Sequence, residues 1–392
     1  MAEQIRGNQY LWNRDFIIAL LGYFCLFMSL TLFFIFPLFL EQFNPKKSQI
    51  GLIMGVHSLM AIFIRPLFGR LIDIRGRKGI SLLGIGFLIL ILPCFHLVRN
   101  AGWLPLLLRA LTGVGWGISM TATITLCSDM APVERLAHSM GIIGVAGLSS
   151  HALGPLLAEE VVRQFGFGAL FNASLAFLFF SFICILLTKE TINPAQNRSQ
   201  GYSWRNISLI IILAMSIMPA FHGAIRGVVV YFIALFGKSI ALERVGPFFV
   251  AFSAAAIATR LLMGGISDRY GRKNIIIPAV CVVSLNLILI SRVNSLWMFI
   301  LTGLIGGFGQ GLLFPALSTY IIDFLGKRNK GLALSLYLSL FDVGMGVGPP
   351  LFGRISDLYG YRKMYFFAGL VFLGVNLIFA LKAPAVSTKN KA

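Results

Sequence analysis

Asp342 lies at the middle of the apolar run 331–353 and is the one carboxylate far from the ends of any such run. An ionisable group at that depth is costly to keep, so its presence is a functional hypothesis in itself. Two chemistries fit. In the first, Asp342 gains and loses a proton while His222 or Arg226 competes for it, and that cycle drives work. In the second, Asp342 and Arg226 form a permanent structural pair. His222 and Arg226 are four residues apart near the middle of the run 206–237, which puts both on one helical face.

A second chemistry is written at the ends of two other runs. Gly69, Asp73, Gly76, Arg77 and Lys78 recur as Gly264, Asp268, Gly271, Arg272 and Lys273, at an offset of 195. A carboxylate beside a cluster of cationic side chains at a helix end can close a face by charge-assisted bonds and release it on switching. The alternative is that these charges anchor loops and set topology. Gly76 and Gly271 permit a tight turn into the next helix. Gly69 and Gly264 are expected to let helices approach closely. Arg65 and Arg260, about one turn further in, are expected to brace this cluster.

The elements that must position these groups are membrane-length helices. The chain has 392 residues, of which 57% are hydrophobic and only 12% charged. A soluble domain carries about 25% charged residues, so a water-facing surface has too little to draw on. Twelve apolar runs can each cross a bilayer, at about 20 residues per crossing. They cover 16–40, 50–70, 79–98, 110–128, 136–158, 164–188, 206–237, 246–267, 274–291, 293–322, 331–353 and 364–381. Lys and Arg concentrate in the loops on the side that holds both termini, which sets both termini in the cytoplasm. The net charge of +19 therefore reads as topology, not as nucleic-acid binding. The five cysteines, Cys25, Cys94, Cys127, Cys184 and Cys281, lie in or at the ends of apolar runs with no metal or disulfide spacing, and read as small hydrophobes.

The longest polar break, 189–205, reads as a linker between halves 1–188 and 206–392. The halves repeat. Gly113, Gly115 and Gly117 return as Gly307, Gly309 and Gly311. Asp129 returns as Asp323 and Gly154-Pro155 as Gly348-Pro349, all at an offset of 194. Two parallel six-helix repeats are an alternating-access architecture with its site near the midplane. The expected fold is an all-α membrane protein of two pseudo-symmetric six-helix bundles.

At GRLIDIRGRK (69–78) and GGISDRYGRK (264–273) the sequence resembles the major facilitator superfamily, whose loop signature is Gly-x-x-x-Asp-x-x-Gly-Arg-Lys. RALTGVGWG (109–117) resembles its fourth-helix motif, and Ser150-x-x-x-Gly154-Pro155 resembles the Gly-Pro motif of its exporting branch, without the first Gly or the trailing Gly-Gly. The resemblance implies a gate formed by Asp73, Arg77 and Asp129. It also implies that Arg109 takes part in proton coupling or substrate contact; the other reading is an Arg reaching the outer interface. Trp116, with Tyr23, Phe27 and Phe314, is a candidate to line a cavity. His57 and His151 read as hydrogen-bonded packing residues. Gly154, Pro155, Gly348 and Pro349 read as helix-packing positions, and glycines 344 to 348 allow close approach around Asp342.

Three functions compete. The first is proton-coupled efflux of a small organic solute from the cytoplasm across the inner membrane, by a monomer that uses the proton gradient and no cofactor or metal. The second is import of an organic anion or sugar, with Arg109 and Arg226 as the anion site. The third is a membrane enzyme or sensor, which would need paired catalytic carboxylates, a metal cluster or a nucleotide loop; the sequence carries no phosphate-binding glycine loop and no His/Cys cluster.

Overall fold

The computed structural model describes residues 12–131, 135–191, 209–325 and 330–383, and among these there is no strand. The first apolar run forms α1 (Arg14–Leu32), a 3₁₀ turn (Phe33–Ile35) and α2 (Phe36–Glu41). There follow α3 (Lys47–Arg75), α4 (Arg77–Ile91), α5 (Trp103–Asp129) and α6 (Leu136–Leu187). The later helices are α7 (Leu209–Ser239), α8 (Gly246–Met263), the short α9 (Ile266–Tyr270), α10 (Arg272–Ile290), α11 (Leu296–Leu325) and α12 (Lys330–Lys382).

Ten spans among the described residues are long and apolar enough to cross a membrane. Two of them are 50 residues long, about twice what one crossing needs. Each is broken by a glycine in the left-handed region: Gly166 (φ 79°) inside α6 and Gly360 (φ 79°) inside α12. The chain reverses at those glycines without a loop, because a side chain at that φ is strained and Gly is not.

The described chain forms two compact units: Met1–Phe39 with Val56–Gln200, and Leu40–Gly55 with Gly201–Ala392. In unit 1, α6 packs along α1 and α4 along α5. In unit 2, α12 packs along α7, α8 along α11, and α10 against α11 and α12. Close packing needs small residues, since lipid provides no hydrophobic drive between helices. The repeated glycines supply it at equivalent places. A Cβ on Gly113 would overlap the carbonyl oxygen of His57, and one on Gly307 would overlap that of Phe252. Gly154 abuts Thr31 of α1, and Gly348 abuts Ala224 of α7. Gly69 departs from the expected close approach: a Cβ there would meet nothing within 4 Å, and one on Gly264 would meet only the Arg260 carbonyl of its own helix.

Candidate functional site

The repeated loop motif builds the same knot in each unit. α3 ends at Arg75, Gly76 turns the chain at φ 97°, and α4 begins at Arg77. The Arg77 Nε forms an ion pair with Asp129 Oδ2 at the end of α5. The Lys78 Nζ donates to the Thr188 carbonyl at 2.8 Å, just past the end of α6. In unit 2 the turn is at Gly271 (φ 90°), and Arg272 Nε meets Asp323 Oδ2 at 2.9 Å at the end of α11. The Lys273 Nζ donates to the Ala383 carbonyl at 2.8 Å, past the end of α12. In each copy the arginine ties its helix to the fourth crossing of its half and the lysine to the sixth. Both arginines are buried. A buried guanidinium needs its counter-charge, because an uncompensated one costs several kcal/mol, roughly 3–5 when one partner is removed.

The copies differ in what else they hold. Arg272 also donates to Ser267 Oγ at 2.7 Å. In unit 1 the additional partner is Glu190. Its carboxylate accepts the backbone amides of Arg77 at 2.9 Å and Lys78 at 3.0 Å, at the open N-terminus of α4. The next residue, Thr191, donates its hydroxyl to Asp129 Oδ2 at 3.0 Å. The linker reading of 189–205 did not foresee this, because nothing in sequence spacing ties a residue after the sixth run to one after the second. The side chains of Asp73 and Asp268 lie outside the described residues, as do linker residues 192–205.

A small, largely apolar pocket with a few polar groups lies within unit 1. His57, Arg109, Thr112, Trp116 and Phe33 line it together with leucines. His57 Nδ1 and the Thr112 hydroxyl are 3.2 Å apart, and that hydroxyl donates to the Arg109 carbonyl at 2.9 Å. Arg109 is 3% exposed, and its guanidinium lies 5.6 Å from the centre of the Phe33 ring. It is therefore an interior cation, not one reaching an interface. Trp116 packs edge-on to Phe27 at 4.9 Å. The structure thus brings Arg109 and Trp116 to one place, and adds Thr112 and His57.

Unit 2 has its own buried polar cluster. His222 is fully buried. Its Nδ1 lies 3.0 Å from the Tyr337 hydroxyl and its Nε2 lies 2.5 Å from Gln310 Oε1. A neutral ring satisfies both contacts: Nε2–H donates to Gln310, and Nδ1 accepts from Tyr337. Phe314 and Phe341 pack around the imidazole. Arg226 stacks on Phe252, with its guanidinium 4.5 Å from the ring centre, and Arg260 lies over Phe314 at 5.4 Å. Asp342 is buried, and it and Arg260 both lie near enough to Tyr337 to act on its hydroxyl electrostatically.

This arrangement bears on the two readings of Asp342 that the sequence left open. Among the described residues Arg226 makes no ion pair with Asp342; aromatic stacking holds it instead. His222 does not meet Asp342 directly, because neutral partners occupy both of its ring nitrogens. Arg260, expected as a brace for the loop motif, sits over Phe314 in this cluster. Gln310 and Tyr337 escaped the sequence reading. Gln310 stands between Gly309 and Gly311 at the repeat position of Trp116, the one signal that could have drawn attention to it. Among the described residues no group of three or more His, Cys, Asp or Glu could hold a metal ion.

Known proteins resemble the chain along nearly its whole length. It is 26% identical over 371 residues to Multidrug resistance protein MdtG of Citrobacter koseri, covering 90% of this chain and 91% of that protein. It is likewise 26% identical over 377 residues to the protein of that name from Dickeya zeae, covering 90% of each. Among solved structures, the nucleoside transporter NupG superposes with a TM-score of 0.75 at 15% identity, covering 93% of this chain and 97% of NupG. A bacterial homologue of the human lysosomal transporter Spinster, inward-facing and occupied, superposes with a TM-score of 0.72 at 15% identity, covering 96% and 97%. The sequence model of the Major Facilitator Superfamily matches residues 16–248 and 215–392, and with the repeated knot and the paired glycine seams this chain is a member of that superfamily, a multi-pass membrane transporter and not an enzyme.

Proposed function

We propose that this transporter exports small organic molecules from the cytoplasm across the inner membrane in exchange for protons, by alternating access of the halves 1–188 and 206–392. The observation that carries the direction is the full-length likeness to proteins named for multidrug resistance. Support for proton coupling comes from the buried carboxylate Asp342, which shares unit 2 with His222, Arg226 and Arg260. In this reading the chain works as a monomer with both termini in the cytoplasm, and it draws on the proton gradient without a cofactor. The two Arg–Asp knots, with Asp73 and Asp268, act as a cytoplasmic gate. Import of an organic anion is the second reading. It is favoured by Arg109, a buried cation in a pocket lined with aromatic and apolar side chains. Everted membrane vesicles, energised and then treated with a protonophore, separate the two with a panel of labelled lipophilic cations, neutral drugs and carboxylates. Uptake into everted vesicles that collapses with the protonophore supports efflux. Gradient-driven loss from them supports import.

A further inference from the structure

The glycine turn occurs four times. Gly76, Gly166, Gly271 and Gly360 all take φ between 79° and 97° and join one crossing to the next. Three residues before each stands Asp73, Arg163, Asp268 and Asp357. The segment 353–360, Gly-Arg-Ile-Ser-Asp-Leu-Tyr-Gly, thus repeats the loop signature a third time, inside α12 at the far end from the first two copies along the chain's crossings.

Asp357 has a defined target. Its Oδ1 accepts the backbone amide of Lys47 at 2.5 Å. Its Oδ2 accepts the amide of Ser48 at 3.2 Å and the hydroxyl of Ser48 at 2.5 Å. These are the first two amides of α3, which have no acceptor inside the helix. A carboxylate there also faces the positive end of the helix dipole. Around it, Glu41 meets both Lys47 and Lys238 at 3.1 Å, and Lys47 Nζ lies 5.5 Å from the Tyr361 ring centre. Deeper in, Gly55 abuts the backbone of Gly346, Gly51 that of Pro349, and Gly353 that of Lys47. The outer turns of α3 therefore lie flush on α12, backbone against backbone, and the seam ends in the Asp357 clasp.

We propose that Asp357 is a latch on the N-terminus of α3, the counterpart at that end of the helix to the gate at Gly69–Lys78. Residues 47–55 belong to unit 2 and residues 56–75 of the same helix to unit 1, so the clasp decides whether the first turns of α3 stay with α12. The seam is suited to this task. Its glycines meet backbone atoms directly, and the charge-assisted bonds of Asp357, with the Glu41–Lys238 pair beside them, hold its end. Arg163 stands at the equivalent place in α6 and is tied to Glu160 of its own helix at 2.6 Å, so α6 carries no carboxylate at that place.

The inference uses the transporter reading only for the latch's purpose, and its test needs no substrate. Spin labels are placed at Gln49 and Leu358, both exposed, in a variant whose five native cysteines are replaced, and distances are measured by pulsed electron resonance in lipid nanodiscs. The parent protein shows a short-distance population. In Asp357→Ala that population falls at least threefold in favour of a longer distance. Ser48→Ala, which loses the hydroxyl arm alone, gives a smaller fall, and Asp357→Glu restores the short distance. Distance distributions unchanged in Asp357→Ala and in Ser48→Ala overturn the proposal. If Asp357→Ala fails to fold, an unchanged distribution in Ser48→Ala is enough to overturn it.

Discussion

Glu190 accepts the backbone amide of Arg77 at 2.9 Å, across 113 residues of sequence. The same carboxylate takes the amide of Lys78, so one side chain satisfies the two leading donors of α4. Bonds to an ionised group contribute about 1.5–3 kcal/mol each. Glu190→Gln keeps one oxygen acceptor and loses the charge. The amides of residues 77–78 are expected to exchange with deuterium about tenfold faster in that variant, while α10, which has no such cap, exchanges as before. Equal exchange in both proteins would show that Glu190 carries no local stability.

The two knots should not be equally sensitive. The Asp323 side chain is 14% exposed and that of Asp129 is 31% exposed. Water can replace part of what Asp129 gives Arg77, and much less of what Asp323 gives Arg272. Asp323→Asn therefore costs more, roughly 3–5 kcal/mol as for a buried pair with one partner removed. Asp129→Asn costs about half that or less. Thermal unfolding in detergent gives the order. Replacing both Arg272 and Asp323 by apolar residues of similar size recovers most of the loss, since no charge is then stranded.

That the chain is built of membrane-length helices was legible from apolar length, and the recurrence of Arg77 and Asp129 as Arg272 and Asp323 from an offset of 194 or 195; that Arg77 meets Asp129 was implied only by the family resemblance. The interior clusters were not, because they depend on rotation of helices that are apolar all round. Periodicity could place His222 and Arg226 on one face, yet it could not tell that Tyr337 and Gln310 would take the imidazole or that Phe252 would take the guanidinium. Glu190 was hidden for another reason: its partners are backbone amides, which carry no sequence signal.

Glycines separate into those that packing requires and those that it does not. At Gly113 any side chain runs into the His57 carbonyl, so α3 and α5 must part. Overpacking of this kind costs about 1–3 kcal/mol, and occasionally more. At Gly69 there is open space, and Ala is the better helix former by about 1 kcal/mol. Gly113→Ala is expected to lower the melting temperature in detergent and Gly69→Ala to leave it level or raise it. If Gly69→Ala nonetheless slows transport at undiminished stability, the glycine serves another conformation in the cycle.

In the proposed exchange of substrate for protons, Asp342 is the residue assigned to carry the proton. It is buried, and Arg226, the cation expected to neutralise it, is stacked on Phe252. Removing the ionisable carboxylate tests that role directly. Asp342→Asn fixes the neutral form. Gradient-driven transport should then fall to the level of vesicles lacking the protein, while substrate exchange at equal pH on both sides continues, because exchange needs no net proton movement. The melting temperature, measured alongside, separates loss of coupling from loss of the fold. Retained accumulation with the parent's dependence on the pH gradient would assign the proton to another group. His222 would be the next to test, and its tie to Tyr337 makes Tyr337→Phe the variant with which to begin.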